Sequence, residues 1–244
     1  SGKLAIVCRS PIYRDLFWIA SNGAVQSAWN VLGRGWEGQT FAVTSAGIAS
    51  PTSEIAAVSR HRDQLDVFYL GAAGEIRTSW WNARDNRWNA ATIYPAGTAR
   101  SGSALTAISR AANSLDIFWI SPAGELRHAN WSDGRGWGTP ATVAGGAAVS
   151  SGSPISVVAR QSDLLNVFWV GSTGALMTNW WREGTSTNWG NLLSIPITGS
   201  VATASGIGAV ARDQGKLDLV WVSTDGRLMT TWWREGLGEQ WTGH

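Results

Sequence analysis

Arginine stands six residues ahead of an acid or amide five times in this chain: Arg9/Asp15, Arg60/Asp66, Arg110/Asp116, Arg160/Asn166 and Arg212/Asp218. A guanidinium beside a carboxylate can pin a hairpin as an ion pair, which is the default reading. It can also offer its remaining N–H groups to the hydroxyls of a ligand. Asn166 keeps a hydrogen-bond acceptor where the charge is gone. Around these pairs lies an unusual stock of indole, 17 tryptophans against three tyrosines and five phenylalanines. A flat indole stacks on the apolar C–H face of a pyranose while Arg, Asn, Asp and Ser satisfy its hydroxyls, and the same amphipathic logic favours Trp at recognition surfaces generally. Such sites are shallow and weak, and repetition turns weak affinity into avidity.

The markers recur in register. After each Arg and acid come an aromatic (Trp18, Tyr69, Trp119, Trp169, Trp221), a turn glycine (Gly23, Gly74, Gly124, Gly174, Gly226) and two further tryptophans. The first of those stands at 29, 81, 131, 181 and 233, the last at 36, 88, 137, 189 and 241. The period is about 50 residues, which means a repeat architecture. Each unit reads as short strands: in the second, "EIAAVSR" (54–60), "LDVFYL" (65–70), "EIRTSWW" (75–81) and "ATIYP" (91–95) are separated by turn-forming segments. No window holds a helical period over three turns. Four antiparallel strands per repeat of this length predict an all-β propeller of five blades in a single domain, near 1–45, 46–95, 96–145, 146–197 and 198–244. The strands are apolar on both faces, as sheets sandwiched between neighbours require. A fourth strand is expected at 41–45, 91–95, 141–145 and 192–196, but not in the fifth repeat, which reaches only "WTGH". The last blade is therefore expected to lack a strand, its edge either exposed or covered by another copy of the chain.

The central-strand aromatics are expected in the core. In the "WW" slot the second residue is read as Trp in all five copies, and so as largely structural. The first varies: Ala28, Trp80, Asn130, Trp180 and Trp232. That variation points to a surface groove in which an indole face is available in some repeats only. Repeats two, four and five keep both indoles and are the expected pockets. Trp180→Ala and Trp232→Ala would then weaken binding, and Trp181→Ala would unsettle the fold.

The runs "SRxxxxLDVFYLGxxGEIRTSWW" in repeat two, "ARQSDLLNVFWVGSTGALMTNWW" (159–181) and "ARDQGKLDLVWVSTDGRLMTTWW" (211–233) resemble the Photorhabdus-type lectins. The likeness runs along essentially the whole chain. It implies a β-propeller that binds fucose or a related, sometimes O-methylated, sugar in pockets between blades. By resemblance the pockets would use the WW slot, the strand-end Ser-Arg and the loop before the last Trp. The candidate ligand-binding residues in this sequence are Trp80, Trp81, Trp88, Trp180, Trp181, Trp189, Trp232, Trp233, Trp241, Ser59, Arg60, Arg160 and Arg212. That family has seven blades, against five repeats here.

Other classes are disfavoured. Net charge is only +2, with basic residues scattered, so no nucleic-acid footprint is evident. No run approaches the roughly 18–20 apolar residues of a membrane span. Cys8 is the single cysteine, which excludes an internal disulfide and leaves the redox compartment open; a secreted or released protein fits. His61, His128 and His244 occupy non-equivalent positions without ligand spacing and read as surface residues. No metal or cofactor is expected. A glycosidase would need two carboxylates across a scissile bond, but the recurrent acid is shared by nearly all repeats, and Glu54, Asp85 and Glu239 are weak candidates. A catalytic centre breaks symmetry; this sequence repeats it. The alternatives to a lectin are a protein-interaction propeller, or a designed or ancestral scaffold whose repeats serve stability alone.

Overall fold

The computed structural model describes residues 3–184, 189, 190, 192–203, 205–236, 241 and 242. Among these there is no α-helix; a single 3₁₀ turn, Gly146–Ala148, interrupts the strands. The first sheet is β1 (Leu4–Ser10), β2 (Tyr13–Ile19), β3 (Val25–Val31) and β4 (Gly35–Ala42). The second is β5 (Ile55–His61), β6 (Gln64–Leu70), β7 (Ile76–Asn82) and β8 (Arg87–Tyr94). The third has β9 (Leu105–Ala111), β10 (Ser114–Ile120) and β11 (Leu126–Ser132), with its outermost strand divided at Pro140 into β12 (Gly136–Trp137) and β13 (Ala141–Ala144). The fourth is β14 (Ile155–Gln161), β15 (Leu164–Val170), β16 (Leu176–Arg182) and β17 (Leu193–Ser194). The fifth is β18 (Ile207–Asp213), β19 (Lys216–Val222), β20 (Leu228–Arg234) and β21 (Trp241–Thr242). Strands follow chain order within each sheet.

The expectation of a missing strand is corrected here. In the first, second, third and fifth sheets the fourth strand begins at the last tryptophan or one residue before it rather than after it, so Trp241 and Thr242 pair with Trp233 and Trp232 and give the fifth sheet its fourth strand. The expected segments 41–45 and 91–95 mark only the far parts of β4 and β8, whereas 141–145 holds all of β13 and 192–196 all of β17.

The chain divides into two compact units, Ser1–Pro122 with Asn130–Gly138, and Ala123–Ala129 with Thr139–His244. In the first, Phe17 and Val25 of the first sheet pack with Ile55, Leu65, Val67 and Tyr69 of the second. In the second, Phe168 and Leu176 of the fourth sheet pack with Ile207, Leu217, Leu219 and Trp221 of the fifth. β6, β10 and β15 are buried almost throughout, on both faces, which explains why they are apolar apart from Asp66, Asp116, Asn166 and the first residues Gln64 and Ser114. Trp119, Trp169, Trp221 and Tyr69 are fully enclosed, as expected of the central aromatics, whereas Trp18 is only half-buried.

The connections are held by the hairpin turns. Gly74 adopts φ +79°, and a Cβ there would stand 2.1 Å from the carbonyl oxygen of Ala99, so only glycine fits. In return, Ala99 donates its N–H to the Gly74 carbonyl at 2.9 Å, tying the loop that enters the third sheet to the hairpin of the second.

Candidate functional site

The recurrent arginine sits in a β-bulge. The register between first and second strands breaks across Cys8/Ser10, Val58/His61, Ala159/Gln161 and Ala211/Asp213, and in the third sheet between Ser114 and Asp116 opposite Arg110. A bulge bends the strand and re-aims a side chain. Here it turns the guanidinium along the sheet face onto the acid of the second strand. Arg9 donates from Nε and Nη2 to Asp15 at 2.6 and 3.1 Å, and Arg60 to Asp66 at 2.9 and 3.4 Å. Arg160 donates from Nε to Asn166 Oδ1 at 2.9 Å.

Directly across from that acid stands a tryptophan of the third strand: Trp29 opposite Asp15, Trp80 opposite Asp66, Trp180 opposite Asn166 and Trp232 opposite Asp218. This corrects the slot assignment in the first repeat. Trp29 occupies the first position of the WW slot and Asn30 the second, so Ala28 is not equivalent to Trp80. The signal was in the sequence, because Trp29 follows Gly23 by the same six residues that separate Trp80 from Gly74.

Successive side chains of a strand point to opposite faces. The two indoles of one WW therefore serve two different seams. Between the first and second sheets, a cavity of about 420 Å³ is lined by Arg9, Asp15 and Trp29 from one side and by Leu65, Trp81 and Trp88 from the other. Between the second and third, one of about 410 Å³ is lined by Arg60, Asp66 and Trp80 against Leu115, Trp131 and Trp137. Between the fourth and fifth, one of about 360 Å³ is lined by Arg160, Asn166 and Trp180 against Leu217, Trp233 and Trp241. In each, the arginine of one sheet lies over the second-slot indole of the next: Arg9 Cζ is 5.0 Å from the Trp81 ring centroid, Arg60 4.6 Å from Trp131 and Arg160 4.6 Å from Trp233. Such cation–π stacking is worth about 0.5–2 kcal/mol. The last tryptophan wedges edge-on against a phenylalanine of the preceding sheet, Trp88 on Phe17, Trp137 on Phe68 and Trp241 on Phe168, at 5.8, 5.8 and 5.9 Å.

Of the residues named from sequence, Trp80, Trp81, Trp88, Trp180, Trp233, Trp241, Arg60 and Arg160 line these three cavities. The others stand elsewhere. Ser59 hydrogen-bonds the His61 carbonyl, Trp181 lies opposite Leu165, and Trp232 lies under Arg234. Arg212 pairs with Asp218. Trp189 is buried and donates to Nδ1 of His128 at 3.2 Å, so His128 is an interior residue and not the surface one expected. His61 is exposed; Glu239 and His244 lie outside the described residues. Sequence reasoning missed the leucine five positions after the arginine in every repeat but the first (Leu65, Leu115, Leu165, Leu217) and the phenylalanine two after the acid or amide in every repeat but the fifth (Phe17, Phe68, Phe118, Phe168). Both were regular in spacing but looked like ordinary core.

The seams differ in chemistry. Tyr13 and Asn86 join the first, Asn86 accepting from the Trp81 indole N–H at 3.3 Å. The seam between the fourth and fifth sheets carries Arg182, Gln214 and Glu235, and Arg160 Nη1 donates to the Gln214 carbonyl at 3.0 Å.

Burial raises the carboxyls of Asp15 and Asp66 above their ordinary value of 3.8, the loss of water outweighing the arginine's hydrogen bonds and charge. The folded chain then holds protons there that the unfolded chain releases. What these groups add to stability is largest below 3.8 and falls as pH rises through the raised value. Asp66→Asn is accordingly expected to keep the fold with little loss and to flatten that pH dependence, as Asn166 already does in the fourth repeat. Asp66→Ala strands a mostly buried guanidinium and is expected to cost about 3 kcal/mol, read by urea unfolding. Equal losses for the two variants would mean that Asp66 does not hold Arg60.

Compared by sequence, the chain matches no protein-family model and no curated protein. Compared by structure, it is similar to the BP39L lectin from Burkholderia pseudomallei, at TM-score 0.86 and 23% identity over 99% of this chain and 69% of that one. It is similar to the SapL1 lectin in complex with α-methyl fucoside, at 0.72 and 15% identity over 99% and 78%. The Aleuria aurantia lectin, a six-bladed β-propeller with its own mode of fucose recognition, matches at 0.69 and 15% over 99% and 77%. The fold is that of a β-propeller. Its sheets are propeller blades, and the cavities described above are inter-blade seams. No helix among the described residues is long and apolar enough to cross a membrane.

Proposed function

We propose that this propeller is a carbohydrate-binding lectin, without catalytic activity, whose inter-blade seams each take one monosaccharide of the fucose type. The observation that carries the reading is the repetition of one constellation, a bulge-held arginine with its acid or amide facing two indoles, at three seams of similar volume. In this reading the first-slot indole (Trp29, Trp80 or Trp180) stacks on the C–H face of the sugar. The arginine, held flat between its acid or amide and the next blade's indole, offers its remaining Nη hydrogens to adjacent hydroxyls. Asp15, Asp66 or Asn166 accepts from a third. The apolar floor of leucine and tryptophan suits the C6 methyl of a deoxy sugar, where a hydroxymethyl group would lose its water. The similarity to SapL1 and to the Aleuria aurantia lectin, both described with fucose or a fucoside, supports this choice of sugar.

A test that reads the indoles directly is fluorescence during titration with α-methyl-L-fucoside, with calorimetry for the stoichiometry. The expected result is a saturable change in tryptophan emission and more than one site per chain, each weak. No response to fucoside or to a panel of other monosaccharides at tens of millimolar would leave the interaction scaffold as the better reading.

A further inference from the structure

We propose that the far end of the seam between the first and second sheets is a second kind of ligand site, which takes a single aromatic ring carrying a carboxylate. The inference rests on how these two sheets pack and not on the sugar reading.

The face that the second sheet turns to the first carries three rows of side chains. Leu65, Trp81 and Trp88 form one and line the cavity that holds Arg9. Val67, Ser79 and Ala90 form the next, and Tyr69, Arg77 and Thr92 the last. Over that last row lies a separate cavity of about 440 Å³, lined from the first sheet's side by Val43, Thr44 and Ile48 and reaching solvent at the exposed Ser45 and Ala91.

Two changes within the repeat pattern open this cavity. The segment 43–49 corresponds to 93–99, since both carry Ala-Gly at the same place, so Thr44 stands where the next repeat has Tyr94. Tyr69 likewise stands where the next repeat has Trp119. In the next seam those two aromatics stack, with ring centroids 5.7 Å apart and planes 29° apart, and the Tyr94 hydroxyl donates across the seam to the Gly138 carbonyl. Here Thr44 supplies no ring and Tyr69 supplies a smaller one. Trp119 and Trp169 also donate their indole N–H to the carbonyls of Thr98 and Ala148. The corresponding carbonyl in the second repeat belongs to Ile48, and Tyr69 has no N–H to give it; its hydroxyl pairs with Ser79 Oγ at 2.9 Å instead. The cavity therefore occupies the place where the next seam holds a ring against its central aromatic, and an added ring regains that stacking.

Arg77 supplies the charge, as the one ionic side chain lining this cavity among the described residues. Its Nε is buried with no hydrogen-bond partner among the described residues, and its Nη2 stands 3.5 Å from Glu75. The corresponding Arg127 is tied down, donating to Thr142 Oγ1 at 2.8 Å, to the Pro140 carbonyl at 3.1 Å and to Glu125 at 3.2 Å. A guanidinium with donors to spare at the wall of a largely apolar cavity is matched by a carboxylate.

Ligand-observed NMR titration with benzoate tests this, with benzyl alcohol as the uncharged ring. The expected result is saturable benzoate binding with a dissociation constant of about a millimolar, and weaker binding of benzyl alcohol. Thr44→Tyr and Tyr69→Trp each install the residue that the next repeat carries at that place. Both are expected to keep the fold, checked by thermal unfolding, and to abolish benzoate binding; if one loses its fold, the other decides. Arg77→Met installs the residue found at Met177 and Met229 in the fourth and fifth repeats. It is expected to weaken benzoate about tenfold or more while changing benzyl alcohol by less than about twofold. α-Methyl-L-fucoside is expected not to displace benzoate, because the arginine-bearing cavity lies at the other end of the seam. Four results would each overturn the proposal: no benzoate binding by the wild-type chain, unchanged affinity in the folded cavity-filling variants, equal losses of both ligands in Arg77→Met, or displacement by fucoside. Benzoate binding without any response to fucoside leaves this inference standing and removes the lectin reading, and fucoside binding without benzoate does the reverse.

Discussion

Trp169→Ala is expected to lower unfolding free energy by about 3–5 kcal/mol, among the largest effects of any single substitution in this chain. Trp169 is fully enclosed in β15, facing Ile155 on one side and Met177 on the other in the strand register. Its indole N–H donates to the Ala148 carbonyl at 2.9 Å, the residue that ends the 3₁₀ turn leading into the fourth sheet. Removing the ring leaves a cavity in a sheet covered on both faces, and it takes away the donor that anchors the incoming connection. Trp119 makes the same bond to the Thr98 carbonyl at 3.1 Å, so the role belongs to the repeat and not to one site. Trp180, eleven residues on, is a different case. It is half-buried and forms a cavity wall, and Trp180→Ala is expected to cost about 1 kcal/mol. Urea unfolding followed by far-UV circular dichroism separates the two. Similar midpoints for both variants would show that the central aromatic does not hold the fourth sheet.

That contrast marks how far the sequence could be read. Central aromatics announce themselves, since Tyr69, Trp119, Trp169 and Trp221 lie in apolar runs at one phase of a 50-residue period, and both the strand and its burial follow. The fourth strand was harder. In β17 and β21 only two residues pair with the neighbouring strand, and a two-residue strand has no alternation to display. In the fifth repeat the last tryptophan looked like loop punctuation when it was the first rung of that strand.

The site was legible in its parts but not in its partners. Arginine and acid six apart could be seen to meet, yet the bulge that lays the guanidinium on the sheet face depends on an unpaired residue, which no local pattern reveals. Nor could the adjacency of Arg9 to Trp81, or of Arg60 to Trp131, be read from either repeat alone, because it belongs to the packing of one sheet on the next. The division of WW between two seams follows from strand alternation, and it replaces the expected split into one binding and one structural indole. Trp181→Ala thus exchanges its role of simple core residue for that of a side chain opposite Leu165, half-buried like Trp180.

The same adjacency makes the arginine the more sensitive probe of function. Arg9→Lys, Arg60→Lys and Arg160→Lys in one chain are expected to weaken fucoside binding at the three described seams by about 10- to 100-fold each, since a hydrogen bond to a charged group is worth about 1.5–3 kcal/mol and 1.4 kcal/mol is a factor of ten. Lysine keeps the charge that Asp15 and Asp66 require, so burial does not leave those carboxylates unopposed. It cannot reproduce the fork by which Arg9 and Arg60 hold the acid through Nε and Nη2, or the two bonds by which Arg160 holds Asn166 through Nε and the Gln214 carbonyl through Nη1, nor lie flat on Trp81, Trp131 or Trp233. The ammonium instead follows the carboxylate, and the donors meant for the ligand are lost. Calorimetry on the triple variant, with thermal unfolding as the control, is expected to show binding reduced or abolished while the melting temperature falls by only a few degrees. Unchanged affinity with a lowered melting temperature would assign the arginines to the fold alone, and the sugar would then have to be held by the first-slot indoles without them.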